Sequence, residues 1–179
     1  DGLQTVLGLD EYLRQGLKVV VCEPSCASAL NDDLSDLIED EALAQRLKTG
    51  VLMIDVFLHQ EMEAGRLEYT LEPQAEYTFI HGHCHQKALY GTQSMMGLLS
   101  GARVQEIPSG CCGMAGAFGY EKEHYEISEQ IGEQVLFPAV RQMEEGATLI
   151  ACGVSCRQQI RHFTGKEAVH WVEAIKVKE

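Results

Sequence analysis

Seven cysteines are the residues of this chain whose type and spacing could do chemistry: Cys22, Cys26, Cys84, Cys111, Cys112, Cys152 and Cys156. An odd number, with no secretory leader in view, argues against a disulfide framework and for metal or redox chemistry. Cys111 and Cys112 are adjacent and lie between Gly110 and Gly113. Neighbouring side chains on extended backbone point to opposite sides, so both thiols reach one site only through a turn. The two glycines permit that turn, including positive φ. Gly116 and Gly119 continue the run at three-residue intervals. Thiolates suit iron, and iron–sulfur clusters are usually held by four of them. Zinc also accepts four thiolates, but zinc ribbons use two short C-x-x-C knuckles, which are absent here. A cluster carrying negative charge requires backbone N–H groups near its sulfurs, and a glycine-rich turn lets the backbone approach. The candidate metal ligands are Cys84, Cys111, Cys112 and Cys156, with Cys152 as a further candidate. Gly110 and Gly113 are the candidate cofactor-approaching glycines.

Other chemistries remain open at this level. A cysteine at the end of an apolar strand, such as Cys22 or Cys152, also serves as a small buried hydrophobe. Cys111, Cys112 or Cys156 could act as an attacking thiolate, although no resolving C-x-x-C pair accompanies them. A Cys–His hydrolase using Cys84 or Cys112 leaves the other cysteines unexplained. His81, His83 and His85 alternate around Cys84 and face away from it if the strand continues. His83 or His85 is then a ligand, a proton shuttle, or a hydrogen-bonded support at a helix start. His124 stands in the polar run of residues 121–126 and is expected in solvent, with Glu126 one turn from Lys122. The glycine run lacks the Lys and Ser/Thr of a phosphate loop, and no H-E-x-x-H or EF-hand sequence occurs.

The elements that must position these groups alternate. Residues 3–14 read as an amphipathic helix ending at Gly16, and residues 17–21 as a β-branched strand running into Cys22. Helical spacing follows over 27–38, 41–48 and 51–64. Residues 77–80 form a strand leading to Cys84 and a helical stretch over 86–99. Residues 103–107 form a third strand, followed by the Cys111–Cys112 segment. Helical spacing over 120–145 must kink or restart at Pro138. Residues 148–151 form a fourth strand ending at Cys152, a helix starts at 157–162, and residues 169–177 make a short terminal element. This order predicts an α/β fold with a mainly parallel sheet flanked by helices, Rossmann-like and three-layered. Sites in such sheets lie beyond the carboxyl ends of the strands, so four cysteine-bearing strand ends sharing one mouth is the expectation. One internal echo stands out: both Val-Val-Val-Cys-Glu-Pro-Ser-Cys-Ala and Leu-Ile-Ala-Cys-Gly-Val-Ser-Cys-Arg read strand, C-x-x-x-C, helix.

The chain has 179 residues, 45% hydrophobic and 23% charged, which suits one globular domain. Fourteen basic against twenty-seven acidic residues give a net charge of −13. Such a surface repels phosphate backbones, which argues against nucleic-acid binding driven by counterion release. No apolar run approaches the roughly 18 residues of a membrane span; the best, residues 51–58, is broken by Asp55. No signal peptide is visible, which gives a cytoplasmic expectation. Asp at position 1 suggests a processed chain or a fragment.

Ser109-Gly-Cys-Cys-Gly-Met-Ala-Gly-Ala-Phe-Gly-Tyr-Glu121, with His81-Gly-His-Cys-His-Gln-Lys-Ala88 before it and Ser155-Cys-Arg-Gln-Gln-Ile160 after it, resembles the cysteine-rich CCG domain. That family occurs in a heterodisulfide reductase subunit and in the iron–sulfur subunits of glycolate oxidase and anaerobic glycerol-3-phosphate dehydrogenase. It also forms the C-terminal region of FAD-linked D-lactate dehydrogenase-like oxidases, to which the likeness is greatest. The resemblance implies a ligand set of Cys84, Cys111, Cys112 and Cys156, and a 4Fe–4S-type centre, non-cubane in some members and zinc in some repeats. It implies electron transfer from a flavin or ferredoxin-like module, with FAD on upstream sequence or a partner. Residues 1–50 would be the tail of a preceding repeat, with Cys26 its distal cysteine, and residues 51–179 one complete repeat, within a single domain. Many members carry the distal pair as C-x-x-C where this chain has C-x-x-x-C, which leaves Cys152 open as a fifth ligand. The alternative function is a zinc-stabilised structural or interaction module.

Overall fold

The computed structural model describes residues 2–67 and 70–178. The chain forms two compact units, Asp1–Leu67 and Glu68–Glu179.

In the first unit, helix α1 (Gly2–Arg14) buries Val6, Asp10 and Leu13 along one face. Strand β1 (Val19–Val21) pairs in parallel with β2 (Val51–Met53), in register from Val19↔Val51 to Val21↔Met53. Helix α2 (Pro24–Ser28) begins with proline, whose missing N–H has no partner to lose in a first turn. It continues through the π-helical turn Ala29–Asp33 into α3 (Leu34–Leu37). Helix α4 (Glu41–Gly50) is capped by the Asp40 carboxylate, which accepts the N–H groups of Ala42 and Leu43. Helix α5 spans Ile54–Glu63. The core joins Val6, Leu13, Leu43, Leu47 and Val51 with the flanking Val19, Val21 and Leu30. Asp10 is buried among these apolar groups and is held by Arg46 at 2.6 Å and Arg14 at 2.7 Å. The Arg46 guanidinium foremost, and Arg14 after it, keep its carboxyl below the usual range although burial pushes the other way.

The helix expected over 51–64 therefore begins three residues late. Val51 and Met53 are fully buried with Leu52 between them less so, and pairing with β1 takes these three residues into a sheet. That pairing also places the start of the expected second repeat inside the first unit.

In the second unit, β4 (Tyr77–His81) lies between β5 (Arg103–Glu106) and β6 (Thr148–Ala151), all parallel. Helices α6 (Cys84–Leu89) and α7 (Gln93–Leu98) follow β4. Residues 107–117, two short 3-10 turns, α8 (Tyr125–Glu133) and α9 (Leu136–Arg141) connect β5 to β6. Helix α10 (Val154–Thr164) follows β6. The chain closes with β7 (Ile175–Lys178), antiparallel to β3 (Thr70–Pro73), a ribbon that the hydrophobic pattern did not announce. The helical run expected over 86–99 breaks around Gly91, at φ +73°. The run over 120–145 breaks at Gln134 and Val135, and Pro138 sits in the first turn of α9, where it restarts the helix.

Strand alternation assigns the two faces of this sheet. Phe79, Leu149 and Ala151 pack with Leu136, Phe137, Val140 and Ile160 of α9 and α10. Ile80 and Ile150, paired in register, are fully buried on the opposite face. The three carboxyl ends leave one edge of the sheet and lead to Cys84, Cys111 and Cys152. The fourth cysteine-bearing strand expected at this edge, β1, pairs instead with β2 in the first unit. The fold is thus α/β with parallel sheets flanked by helices. Among the described residues no helix is long and apolar enough to cross a membrane.

Candidate metal centre

Cys84 is the first residue of α6, and its neighbour His83 caps that helix by accepting the His85 N–H at Nδ1, 3.2 Å. Cys156 lies in the first turn of α10. Both thiols therefore stand at helix starts, where the dipole favours negative charge. Gly153 caps α10; a Cβ there would come within 2.4 Å of the His83 ring and 3.3 Å of Cys156 Sγ. Only glycine lets the imidazole and the thiol close over this point.

Cys111 and Cys112 come from the loop after β5. Gly113 takes φ +99°, and a Cβ on it would stand 2.1 Å from the Ser128 carbonyl oxygen. The turn expected around the paired cysteines therefore rests on Gly113, whereas Gly110 has open space around it and no positive φ. Gly113 N–H donates to Cys111 Sγ at 3.3 Å. The backbone amides of Ala115 and Met114 also favour the thiolate forms of Cys111 and Cys112 respectively. Ala115 at φ +40° and Gly116 at φ +68° turn the backbone sharply just after the paired cysteines. Two supports hold the loop. Lys87 on α6 donates to the carbonyls of Ser109 and Gly110, tying the helix that carries Cys84 to the segment that carries Cys111. Beneath it, the buried Gln159 amide donates to Ser128 Oγ at 2.7 Å.

These elements bring the four thiols into one row. Each thiol interacts electrostatically with the next, Cys84 with Cys111, Cys111 with Cys112, and Cys112 with Cys156. Cys111 is pushed down, first by the Cys112 and Cys84 thiols and then by its backbone donors. Cys156 is pushed down by Cys112 and by His81. Cys84 and Cys112 are pushed up by their sulfur neighbours and by burial.

His81, at the end of β4, was the histidine that sequence reasoning passed over in favour of His83 and His85. It is 1% exposed, its Nδ1 lies 2.8 Å from Ser109 Oγ, and its Nε2 is buried without a hydrogen-bond partner. Among the described residues, His81, Cys112 and Cys156 form the group of donors whose ligand atoms all lie within 4.8 Å of one another. Period two was the available signal: Phe79 and His81 share a face, opposite Leu149 and Ala151 in register.

The same alternation accounts for Cys152. Leu149 and Ala151 face the core that includes Cys112 and Cys156, so Cys152 follows Ile150 to the other face. There its thiol donates to Met95 Sδ of α7 at 3.6 Å. Cys22 and Cys26, in the first unit, are both exposed. His124, expected in solvent, stacks on Phe118 at 4.0 Å and pairs with Glu121.

The donor set fits a thiophilic metal. It offers sulfur and one imidazole nitrogen, the Gly113 N–H already donates to Cys111 Sγ, and His81, whose Nε2 has no hydrogen-bond partner, stands beside Cys112 and Cys156.

The chain is 26% identical over 171 residues to the D-2-hydroxyglutarate dehydrogenase of Pantoea ananatis, covering 93% of this chain and 16% of that protein. It is 28% identical over 171 residues to the Escherichia coli (strain K12) D-2-hydroxyglutarate dehydrogenase, with the same coverage of 93% and 16%. It is 27% identical over 161 residues to one subunit of the anaerobic glycerol-3-phosphate dehydrogenase of Escherichia coli (strain K12), covering 87% of this chain and 39% of that subunit. The chain thus spans from about a sixth to about two fifths of the length of these relatives. No family model and no solved structure matches. The chain is a domain related to redox enzymes.

Proposed function

We propose that this chain is the electron-transfer domain of a larger oxidoreductase and holds an iron–sulfur centre of 4Fe–4S type on Cys84, Cys111, Cys112 and Cys156. The observation that carries this reading is the single row of four thiols, drawn from three separate segments and lined by backbone N–H donors. Such a centre, when bound, passes electrons one at a time. The chain's own residues contribute the rest. The N–H groups of Gly113, Met114 and Ala115 offset the charge on the sulfurs, and Lys87 fixes the loop against α6. The sheet and α10 exclude water from Cys112 and Cys156.

The names of the two D-2-hydroxyglutarate dehydrogenases favour a 2-hydroxy acid as the substrate of the whole enzyme, and the family resemblance adds lactate and glycolate as candidates. Its two-electron oxidation would occur at a flavin carried on other sequence or on a partner chain, with this domain as the relay, in the cytoplasm. Cys152, turned toward Met95, is left out of the proposed ligand set. The Rossmann-like layering, the origin of residues 1–50 in a preceding repeat and the complete repeat over 51–179 belong to the same proposal.

Iron and acid-labile sulfide measured on anaerobically prepared protein, with an electron paramagnetic resonance spectrum after reduction, test the reading. Several irons and sulfides per chain are expected, and none in Cys112→Ala. The closeness of His81, Cys112 and Cys156 also favours a second reading, a structural zinc site. One zinc per chain, no paramagnetic signal and unfolding on chelation would establish it in place of the first.

A further inference from the structure

We propose that His81 Nε2 is itself a ligand of the centre and shares one metal ion with Cys112 and Cys156. This rests on the reading that the thiol row binds metal, but not on the metal's identity.

Three observations converge on His81. Its position is rigid: it ends the central strand of the sheet, in register with Ala151, and is almost wholly buried. Its ring orientation is fixed from behind. Ser109 Oγ lies 2.8 Å from Nδ1 and 3.5 Å from the Ile107 carbonyl oxygen. A hydroxyl that donates to that carbonyl accepts from Nδ1–H, and the Nε2 lone pair is then left to face the sulfurs. Metal-bound histidines characteristically hold their second nitrogen in this way. Finally, Nε2 has no hydrogen-bond partner, and a ring nitrogen of His81 lies within 4.8 Å of the Cys112 and Cys156 sulfurs; with Nδ1 turned to Ser109, Nε2 is the nitrogen left to face them. A buried polar atom left unsatisfied costs about 1–3 kcal/mol, and a metal ion between it and the two sulfurs removes that cost.

The neighbouring histidine is used differently. His83 Nδ1 accepts the His85 N–H as a helix cap, and its ring packs over Gly153. A neutral nitrogen ligand adds no negative charge to the centre, whereas a further thiolate would. The reduction potential is then higher than a fifth thiolate would leave it.

Pulsed electron paramagnetic resonance on the iron-loaded, reduced chain tests the assignment. Hyperfine coupling to a histidine nitrogen is expected, changing on 15N-histidine labelling, lost in His81→Ala and retained in His83→Ala. A second arm titrates Co2+ alone into the reduced, metal-free chain and reads the ligand-field bands, which are expected to differ between wild type and His81→Ala. Ser109→Ala keeps the ligand but frees its ring, and is expected to weaken Co2+ binding roughly 10–100-fold. Because Ser109→Ala removes only a hydroxyl, it carries the test if His81→Ala fails to fold. Full iron loading without nitrogen coupling, Co2+ bands unchanged in His81→Ala, or Co2+ affinity unchanged in Ser109→Ala overturns the His81 assignment and leaves the iron–sulfur reading standing. Co2+ bands that depend on His81 in a chain that takes no iron support His81 and overturn the iron–sulfur reading. A chain that binds neither metal overturns both.

Discussion

The two C-x-x-x-C segments of this chain share a local design and differ in what surrounds them. In the first, β1 runs into Cys22, Glu23 and the short α2; in the second, β6 runs into Cys152, Gly153 and α10. Strand alternation treats the leading cysteine alike in both. Cys22 follows the exposed Val20, and Cys152 follows Ile150 away from the thiol row. The trailing cysteines diverge. Cys26 is exposed, whereas Cys156 is 2% exposed and meets Cys112 and His81. Glycine at 153 admits the His83 ring, while Glu23 occupies the matching place in the first segment. A strand followed by spaced cysteines is therefore a frame. It becomes a site only where a second loop brings more sulfur to it, as the residues after β5 do for Cys156.

The largest test of that contrast is removal of the trailing thiols. Cys156→Ala is expected to abolish bound metal, measured by elemental analysis of anaerobically prepared protein, while Cys26→Ala leaves it unchanged. The opposite result would show that the exposed segment carries the site. Exchanging the residue after the leading cysteine comes next. Gly153→Glu should drive His83 and Cys156 apart and weaken metal retention against a chelator about tenfold or more; Glu23→Gly should not change it.

The first unit has its own stabilising polar group, and a smaller effect follows there. Asp10→Asn is expected to cost about 1–2 kcal/mol, because both arginines retain contact with solvent once the carboxylate is lost. The folded carboxyl titrates below its unfolded value, so its contribution is present above about pH 4. It fades as the pH falls through the lower folded value. Hydrogen exchange at the β1 and β2 amides should therefore separate wild type from Asp10→Asn at pH 6, and the gap should narrow as the pH falls below about 4. A gap independent of pH would assign Asp10's role to packing. The smallest effects concern the leading cysteines. Cys152→Ala should lower stability by about 1 kcal/mol through the space left beside Met95, with metal content intact. Cys22→Ala should stay within about 0.5 kcal/mol. Metal loss in Cys152→Ala would return it to the ligand set.

Much of the second unit was legible because β4 and β6 are largely apolar, β5 lies between Gly101 and Pro108, and helical spacing follows β4 and β6. The strands over 77–80, 103–107 and 148–151 lie where the pattern put them. The ribbon of Thr70–Pro73 with Ile175–Lys178 was not legible, since its two halves are about a hundred residues apart and neither is strongly patterned. Val51–Met53 was drawn into the following helix by an apolar run that fits both periods, and only its partner Val19–Val21 resolves the choice. For the site, cysteine spacing picked out Cys84, Cys111, Cys112 and Cys156. It could not separate Cys152 from them, nor pick His81 from three alternating histidines, because both depend on which face of a strand points at the loop.

The amino-acid order alone settled which atoms can do chemistry here: thiols, imidazoles and a glycine that tolerates φ +99° are properties of residue type. It also settled that strands alternate with helices, since that follows from local periodicity. Which thiols meet, which turn aside to Met95, and which imidazole nitrogen lies buried beside two sulfurs were decided by the register of three parallel strands and the loop packed on Ser128. Contacts between residues tens of positions apart depend on how the sheet is assembled, and no local pattern encodes that distance.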